Sequence, residues 1–205
     1  MVAVLLSGWS TLAQAQVYKT GGYQFSETVS IKATPVKNQA VTGTCWSFTV
    51  TSFLESELLR TGKGEFDISE MHTVRYNYIN RLQDNYLKRG AGNLGEGSLA
   101  HMALNVIKTY GMVPESIYNG INYNSITHNH DELNRYINAV ADVSVKIKQR
   151  SPEHYKLVES ILDIYLGPKP EKFTYKGKDY SPISFFNSLG LNLDDYVEIT
   201  SFSHH

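Results

Sequence analysis

Cysteine is almost absent from this chain: one residue, Cys45, in 205. That excludes an intrachain disulfide framework and leaves too few thiols for a zinc cluster, so Cys45 is either a small buried hydrophobe or a reactive thiol. Charge of one sign is also lacking. Nineteen basic residues face 20 acidic ones for a net charge of −1, and no cluster of Lys or Arg supplies the basic footprint that nucleic acid or an anionic membrane surface requires. No apolar run is long enough for a transmembrane helix. Neither repeat, linker nor low-complexity segment marks a domain boundary, and nothing in the sequence asks for a metal or a cofactor.

What is present is an ordinary globular composition, 41% hydrophobic and 19% charged, enough to bury a sizeable core in one large domain or two small ones. Fourteen tyrosines supply amphipathic rings for cores and cleft walls, which suits peptide binding without requiring it. At the start, the apolar run Val2-Ala3-Val4-Leu5-Leu6 leads to Ala13-Gln14-Ala15, a small-x-small cleavage pattern. Residues 1–15 therefore read as a signal peptide, with export to a periplasm-like compartment. No Lys or Arg precedes Lys19; the other reading is an apolar N-terminal strand on a cytoplasmic protein.

Residues 16–205 read as one domain. Val17 to Ala33 is extended and half-polar, broken by Gly21-Gly22, and suggests a short strand or arm. Trp46, Val50, Phe53, Leu54 and Leu58 recur at helical spacing up to Gly62. Asp67-Ile68-Ser69-Glu70 caps a second helix through Met71, Val74, Tyr78 and Leu82. A third runs from Leu99 to Tyr110 and stops at Gly111, and a fourth carries Leu133, Tyr136, Ile137 and Val140. Ser151-Pro152 opens a fifth that Gly167-Pro168 closes. Phe173 and Tyr175 before Lys176-Gly177-Lys178 predict a hairpin, Ser181-Pro182 opens a short helix to Gly190, and Tyr196, Val197 and Ile199 predict the start of a strand.

The chemistry concentrates in Gln39-Ala40-Val41-Thr42-Gly43-Thr44-Cys45-Trp46-Ser47-Phe48. A thiol attacks a carbonyl as its thiolate, and a helix N-terminus, with its partial positive charge and free N–H groups, favours that anion. Cys45 opens the first helix. An oxyanion forming at the attacked carbonyl needs donors, and the loss of one costs about 3 to 4 kcal/mol in well-studied hydrolases. Gln39 offers a side-chain amide and Cys45 its backbone N–H, while Gly43 lets the loop turn tightly between them. A cysteine at such a position is also commonly just packed.

The string Asn38-Gln39, Gly43-x-Cys45-Trp46-x-Phe48 resembles the papain superfamily of cysteine peptidases, and specifically its bleomycin hydrolase/aminopeptidase C branch. Phe66-Asp67-Ile68-Ser69-Glu70, Glu96-Gly97-Ser98 and Leu193-Asp194-Asp195-Tyr196-Val197 are similar to strings of that branch, and the likeness spans about Pro35 to Ile199. Papain-like proteases of the secreted type pair a cysteine three residues before the nucleophile with one in the glycine loop; here Thr42 stands at the first position and no second cysteine exists.

The resemblance implies an α+β papain-like fold, of which this chain holds mainly the helical lobe with its central nucleophile helix and lacks most of the β-rich lobe. It implies that Cys45 is the nucleophile and Gln39 the oxyanion donor. Gly97, Ser98 and Trp46 then bind substrate, with Ser98 in place of a family glycine. It further implies peptide substrates cleaved at their N-termini through a thioester acyl-enzyme, no cofactor, and a homo-oligomer, a hexameric ring in that branch.

The general base is the missing half. His72 and His101 fall in predicted helices and read as surface or cleft-wall residues, and His128, His130 and His154 as solvated ones. None is followed by Asn-Ser-Trp-Gly, which carries the orienting asparagine of the family. His204 and His205 lie 159 and 160 residues beyond the cysteine, against roughly 130 to 150 in papain-like enzymes, with no asparagine segment after them. The expectation is a chain that carries the nucleophile and lacks its base. Two other readings stay open: a catalytically silent papain-like binding module, and a helical structural protein with a core cysteine.

Overall fold

Capping serines, first-turn prolines and glycines set several of the helix limits. The structure, a computed structural model, describes residues 19–20, 22–147 and 149–199, and the predicted signal segment 1–15 lies outside them. The described residues fall into two compact units, one ending at Ile31 and one beginning at Lys32. In the first, β1 (Lys19–Thr20) pairs antiparallel with β2 (Tyr23–Gln24), Lys19 opposite Gln24, and residues 25–31 form no regular element.

The second unit holds six α-helices among its described residues: α1 (Cys45–Arg60), α2 (Glu70–Leu87), α3 (Ala100–Tyr110), α4 (Asp131–Lys146), α5 (Pro152–Leu166) and α6 (Pro182–Leu189). The hairpin β3 (Phe173–Tyr175) and β4 (Lys178–Tyr180) lies between α5 and α6, and a 3-10 turn spans Leu193–Asp195. Among the described residues the strands are confined to the two hairpins, with isolated bridges at Val41–Asn129 and Ile68–Pro114, so this is a mainly helical α+β chain.

Two of the helices, α2 and α6, begin at a serine whose side chain accepts from an unpaired N–H of the first turn. Ser69 accepts a hydrogen bond from the His72 amide at 3.1 Å. Pro152 and Pro182 occupy first-turn positions that lack a partner in any case. At α6, Ser181 and Ser184 bond each other's backbone reciprocally. Gly111 ends α3 at φ +80, and a Cβ there would lie 2.3 Å from the Pro182 backbone, so only glycine lets α6 cross so closely.

Helix α2 packs on α1, α3, α4 and α5. Its Met71, Val74, Tyr78 and Leu82 meet Leu54 and Leu58 of α1, Ile107 of α3, Leu133 and Ile137 of α4 and Leu162 of α5 in one core cluster. Each such aliphatic side chain contributes roughly 1.5 to 3 kcal/mol of burial, and truncating Leu54, fully buried, to alanine costs about 2 to 5 kcal/mol. One predicted element is not formed: residues 196–199 are irregular. A strand needs a neighbour to pair with, and here the segment's side chains bind helices instead. Tyr196 lies edge-on to Phe53 at 5.2 Å, and Glu198 accepts from the His101 amide at 2.8 Å.

Candidate active site

The loop entering α1 is fastened from below. Lys37 places its ammonium 2.8 Å from Glu55, 2.7 Å from Asp67 and 2.9 Å from Glu70, and donates to the Ile68 carbonyl at 3.2 Å. Burial works against the charged lysine, but Glu70 and the hydrogen-bonded carboxylates outweigh it and hold the ammonium above its usual range. Two residues on, Gln39 donates its side-chain amide to the Thr42 carbonyl at 2.7 Å, and the Thr42 hydroxyl returns a bond to the Gln39 carbonyl at 3.0 Å. Gln39 therefore keeps a second N–H for a ligand. Between them Ala40 sits at φ +49, with its amide bonded to the Asn38 side chain.

Cys45 is the first residue of α1 and its thiol is exposed, which overturns the reading of a core cysteine. Its neighbours are not exposed. Trp46 is buried and donates its indole N–H to the Glu96 carbonyl at 2.9 Å, and the buried Ser47 donates to the Glu70 carbonyl at 2.9 Å. The helix start is thus pinned immediately after a free thiol. The Ser47 and Phe48 amides bond the Thr44 carbonyl, and no acidic side chain stands in the first turn of α1. The Cys45 N–H is one of the first-turn donors that no carbonyl within the helix takes, at the helix's positive end. A cleft of about 440 Å³ is lined by Cys45, Gln39, Phe48, Pro35, Val36 and Thr34 among others.

The Glu96-Gly97-Ser98 segment lies beside this loop. Gly43 donates its amide to Glu96 Oε2 at 2.5 Å, and Glu96 Oε1 accepts from Asn134 of α4 at 3.0 Å. Arg81 of α2 donates to the carbonyls of Asn93 and Gly97. Gly97 is exposed, with open space where a Cβ would project. Ser98 is half-buried and turns its hydroxyl toward Asn77 at 3.5 Å, into the protein. Cys45 and Gln39 share one cleft, Gly97 and Ser98 border the loop through Glu96, and Trp46 meets that segment from beneath. Glu96 and Asn134 escaped the sequence reading. Glu96 stood in a matched string without a role of its own, and nothing local to Asn134 announces a partner 38 residues away.

Three histidines are placed differently from expectation. His72 is 1% exposed, packed against Tyr76 and Tyr118, and burial together with the Arg75 charge pushes its pKa down to about 3. His130 is fully buried with Nδ1 3.2 Å from the Tyr78 hydroxyl, and burial, then His128, pushes it down to about 4. His128, 8% exposed, meets Phe48 edge-on. Their peptide groups bond Val41 on both sides: Val41 N–H to the His128 carbonyl at 3.0 Å, and His130 N–H to the Val41 carbonyl at 3.1 Å. These residues are loop supports packed among aromatic rings. His101 is exposed and paired with Glu198 at 2.7 Å, and His154 is half-exposed on α5. None of these five described histidines lines the Cys45 cleft; His204 and His205 lie outside the described residues.

Comparison with known proteins agrees with this geometry. The family model described as papain family cysteine protease matches residues 24–175. The chain is 24% identical over 217 residues to aminopeptidase C of Streptococcus thermophilus, covering 85% of this chain and 48% of that one. It is 26% identical over 131 residues to the mitochondrial cysteine proteinase 1 of Saccharomyces cerevisiae, covering 56% and 27%. The crystal structure of PepW from Lactobacillus rhamnosis HN001 superposes with a TM-score of 0.61 at 22% identity, over 83% of this chain and 47% of that one, a likeness of fold. This chain covers less than half the length of each of these relatives.

Proposed function

Because the chain belongs to the papain family of cysteine proteases, we propose that it carries the nucleophile of a thiol peptidase acting on peptide N-termini in the manner of aminopeptidase C. The observation that carries the reading is an exposed thiol at the start of α1, sharing a cleft with a glutamine amide while the flanking residues are buried and pinned. The thiolate of Cys45 attacks the scissile carbonyl, the C–S bond forms and the carbonyl oxygen becomes an oxyanion that accepts from Gln39 Nε2 and the Cys45 N–H. Breaking the C–N bond then releases the amine with a proton from a histidine base, a group that no described residue supplies here, and water hydrolyses the thioester. Gly97 and Ser98 present backbone to the substrate, and Trp46 supports that strip rather than touching the peptide.

Among the described residues no histidine reaches the cleft, so we infer that the 205-residue chain by itself does not turn peptides over. Turnover abolished by His204→Ala or His205→Ala would overturn that inference. The nucleophile is tested separately, by alkylation with iodoacetamide and with an epoxysuccinyl peptide reagent at neutral pH. Cys45 should react faster than free cysteine, and a rate no greater than free cysteine's rejects the peptidase reading. The aminopeptidase claim rests on the similarity to aminopeptidase C; with the missing base supplied, equal cleavage of free and acetyl-blocked amino-acyl substrates would refute it. Export is proposed on the apolar run and small-x-small site at residues 2–15, and N-terminal sequencing of the mature protein decides it. A homo-oligomer is proposed on the same family likeness, and light scattering of the purified protein tests it.

A further inference from the structure

Two segments far apart in sequence must be held in register for Cys45 to meet a peptide lying on Gly97 and Ser98, and the chain has no disulfide to hold them. We propose that Glu96 is the positioning residue that does so, a polar clasp between the nucleophile loop and the substrate strip; this rests on the reading of Cys45 and Gly97–Ser98 given above. Three bonds converge on it. Its carboxylate accepts from the Gly43 amide at 2.5 Å and from Asn134 Nδ2 at 3.0 Å, and its carbonyl accepts from the Trp46 indole at 2.9 Å. Gly43 lies two residues before the nucleophile and Trp46 one after it, so Glu96 grips the loop on both sides of Cys45. A carboxylate accepting a backbone N–H is about twice as strong a tether as a neutral bond and fixes a direction as well as a distance.

The approach is close enough to dictate residue type. A Cβ on Gly43 would lie 2.8 Å from the Glu96 Cβ, so Gly43 serves the clasp as well as the turn. Asn134 extends the grip to α4, whose N-terminal flank bonds Val41 through His128 and His130. The nucleophile loop is therefore encircled: Val41 on one side, Gly43 and Trp46 on the other, with Glu96 and α4 closing the ring. Because the next two residues are the strip itself, any shift of Glu96 changes the distance between thiol and bound peptide.

The test uses the 205-residue chain and the variants Glu96→Ala, Glu96→Gln, Gly43→Ala and Gly43→Ala/Glu96→Gly. Hydrogen exchange by NMR at the Gly43 amide and the Trp46 indole reads the clasp directly. The ratio of Cys45 alkylation rates, peptidyl chloromethyl ketone over iodoacetamide, reads positioning. Glu96→Ala should speed exchange at Gly43 about ten- to hundredfold, the loss expected for a hydrogen bond to a charged acceptor. It should lower the rate ratio about tenfold or more, because the small reagent needs no strip.

Glu96→Gln, which keeps one acceptor oxygen, should restore most of both. Gly43→Ala should mimic Glu96→Ala, and removing the facing Cβ in Gly43→Ala/Glu96→Gly should relieve the clash without restoring the ratio. Unchanged exchange at Gly43 in Glu96→Ala would overturn the clasp. An unchanged ratio alongside faster exchange would overturn the positioning role. If the parent chain shows no preference for the peptidyl reagent, the reading of the strip as substrate-binding fails and the positioning role falls with it. The exchange data still decide whether the clasp exists.

Discussion

Two clusters of buried charge hold this protein together with opposite exposure. Under the nucleophile loop, Lys37, with a side chain 23% exposed, is more accessible than its carboxylates Glu55 and Glu70, 0% and 3% exposed, while its third partner Asp67 stands at the rim, 67% exposed. Between α2 and α5 the arrangement is inverted: Arg75 is fully buried, while Glu159 and Asp163 are 35% and 44% exposed. Both clusters join elements distant in sequence. They differ in what is left behind when the cation is removed, and an abandoned buried charge costs far more than an abandoned exposed one. The cluster beneath the site is therefore the more brittle of the two, and it is the one that sets the position of Gln39.

The largest expected effect follows from that asymmetry. Lys37→Met strands two buried carboxylates, and Glu55 must also keep accepting from the Ile68 amide at 2.8 Å. We expect a loss of about 3 to 5 kcal/mol in denaturant unfolding, together with a fall in the peptidyl-to-iodoacetamide rate ratio as the Gln39 loop loses its anchor. Arg75→Met leaves carboxylates that water can solvate and chiefly loses the charged bond to the Gly167 carbonyl at 2.9 Å. About 1.5 to 3 kcal/mol is expected, with no change in the rate ratio. Equal losses from both substitutions, or a changed ratio in Arg75→Met, would break the comparison.

Titration sharpens it further. His72 and His130 are held neutral by burial, down to about 3 and about 4, against 6.5 in an unfolded chain. Below pH 6.5 the unfolded chain binds protons that the folded one refuses, so stability falls as pH drops toward 4. Glu115, beside the Lys37 cluster, runs the other way. Burial, then the Glu70 charge, pushes its carboxyl up to about 8 from 4.5. Its contribution is complete below pH 4.5 and is lost as pH rises through 8. Melting temperature should peak near pH 6.5; Glu115→Gln should flatten the limb above that pH and steepen the one between 4.5 and 6.5, whereas His130→Phe should flatten the acid limb alone. A Glu115→Gln variant with an unaltered alkaline limb would separate Glu115 from this account.

Most of the scaffold was legible because its signals are local. The apolar spacing and the residues Ser69, Pro152, Ser181 and Gly111 place four helix ends where they occur. The motif around Cys45 located the thiol and its glutamine partner in one cleft for the same reason. What was not legible depends on partners that only folding brings together. His130 looks solvated in a polar stretch, but Tyr78, 52 residues away, closes over it. Nothing in the text near Lys37 says that Glu55, Asp67 and Glu70 converge on it, and Tyr196–Ile199 has strand-forming residues but pairs with no strand among the described residues.

The smallest effect contrasts two strained residues, one in each kind of region. Ala40, in the loop held by Lys37, and Lys176, in the turn of the β3–β4 hairpin, both sit at φ +49. A side chain in that conformation costs about 1 to 2 kcal/mol, and glycine relieves it while adding roughly 0.4 to 1 kcal/mol of unfolded-state entropy. Ala40→Gly should therefore stabilise the protein by under about 1 kcal/mol, seen as a small rise in melting temperature. Lys176→Gly relieves the same strain but also loses the ammonium 5.1 Å above the Phe66 ring, a contact of about 0.5 to 1 kcal/mol, and should come out near neutral. If Ala40→Gly instead destabilises and lowers the rate ratio of Cys45 alkylation, the methyl group at residue 40 is itself part of the loop's support. The anchorage would then extend from Lys37 through Ala40 to the thiol.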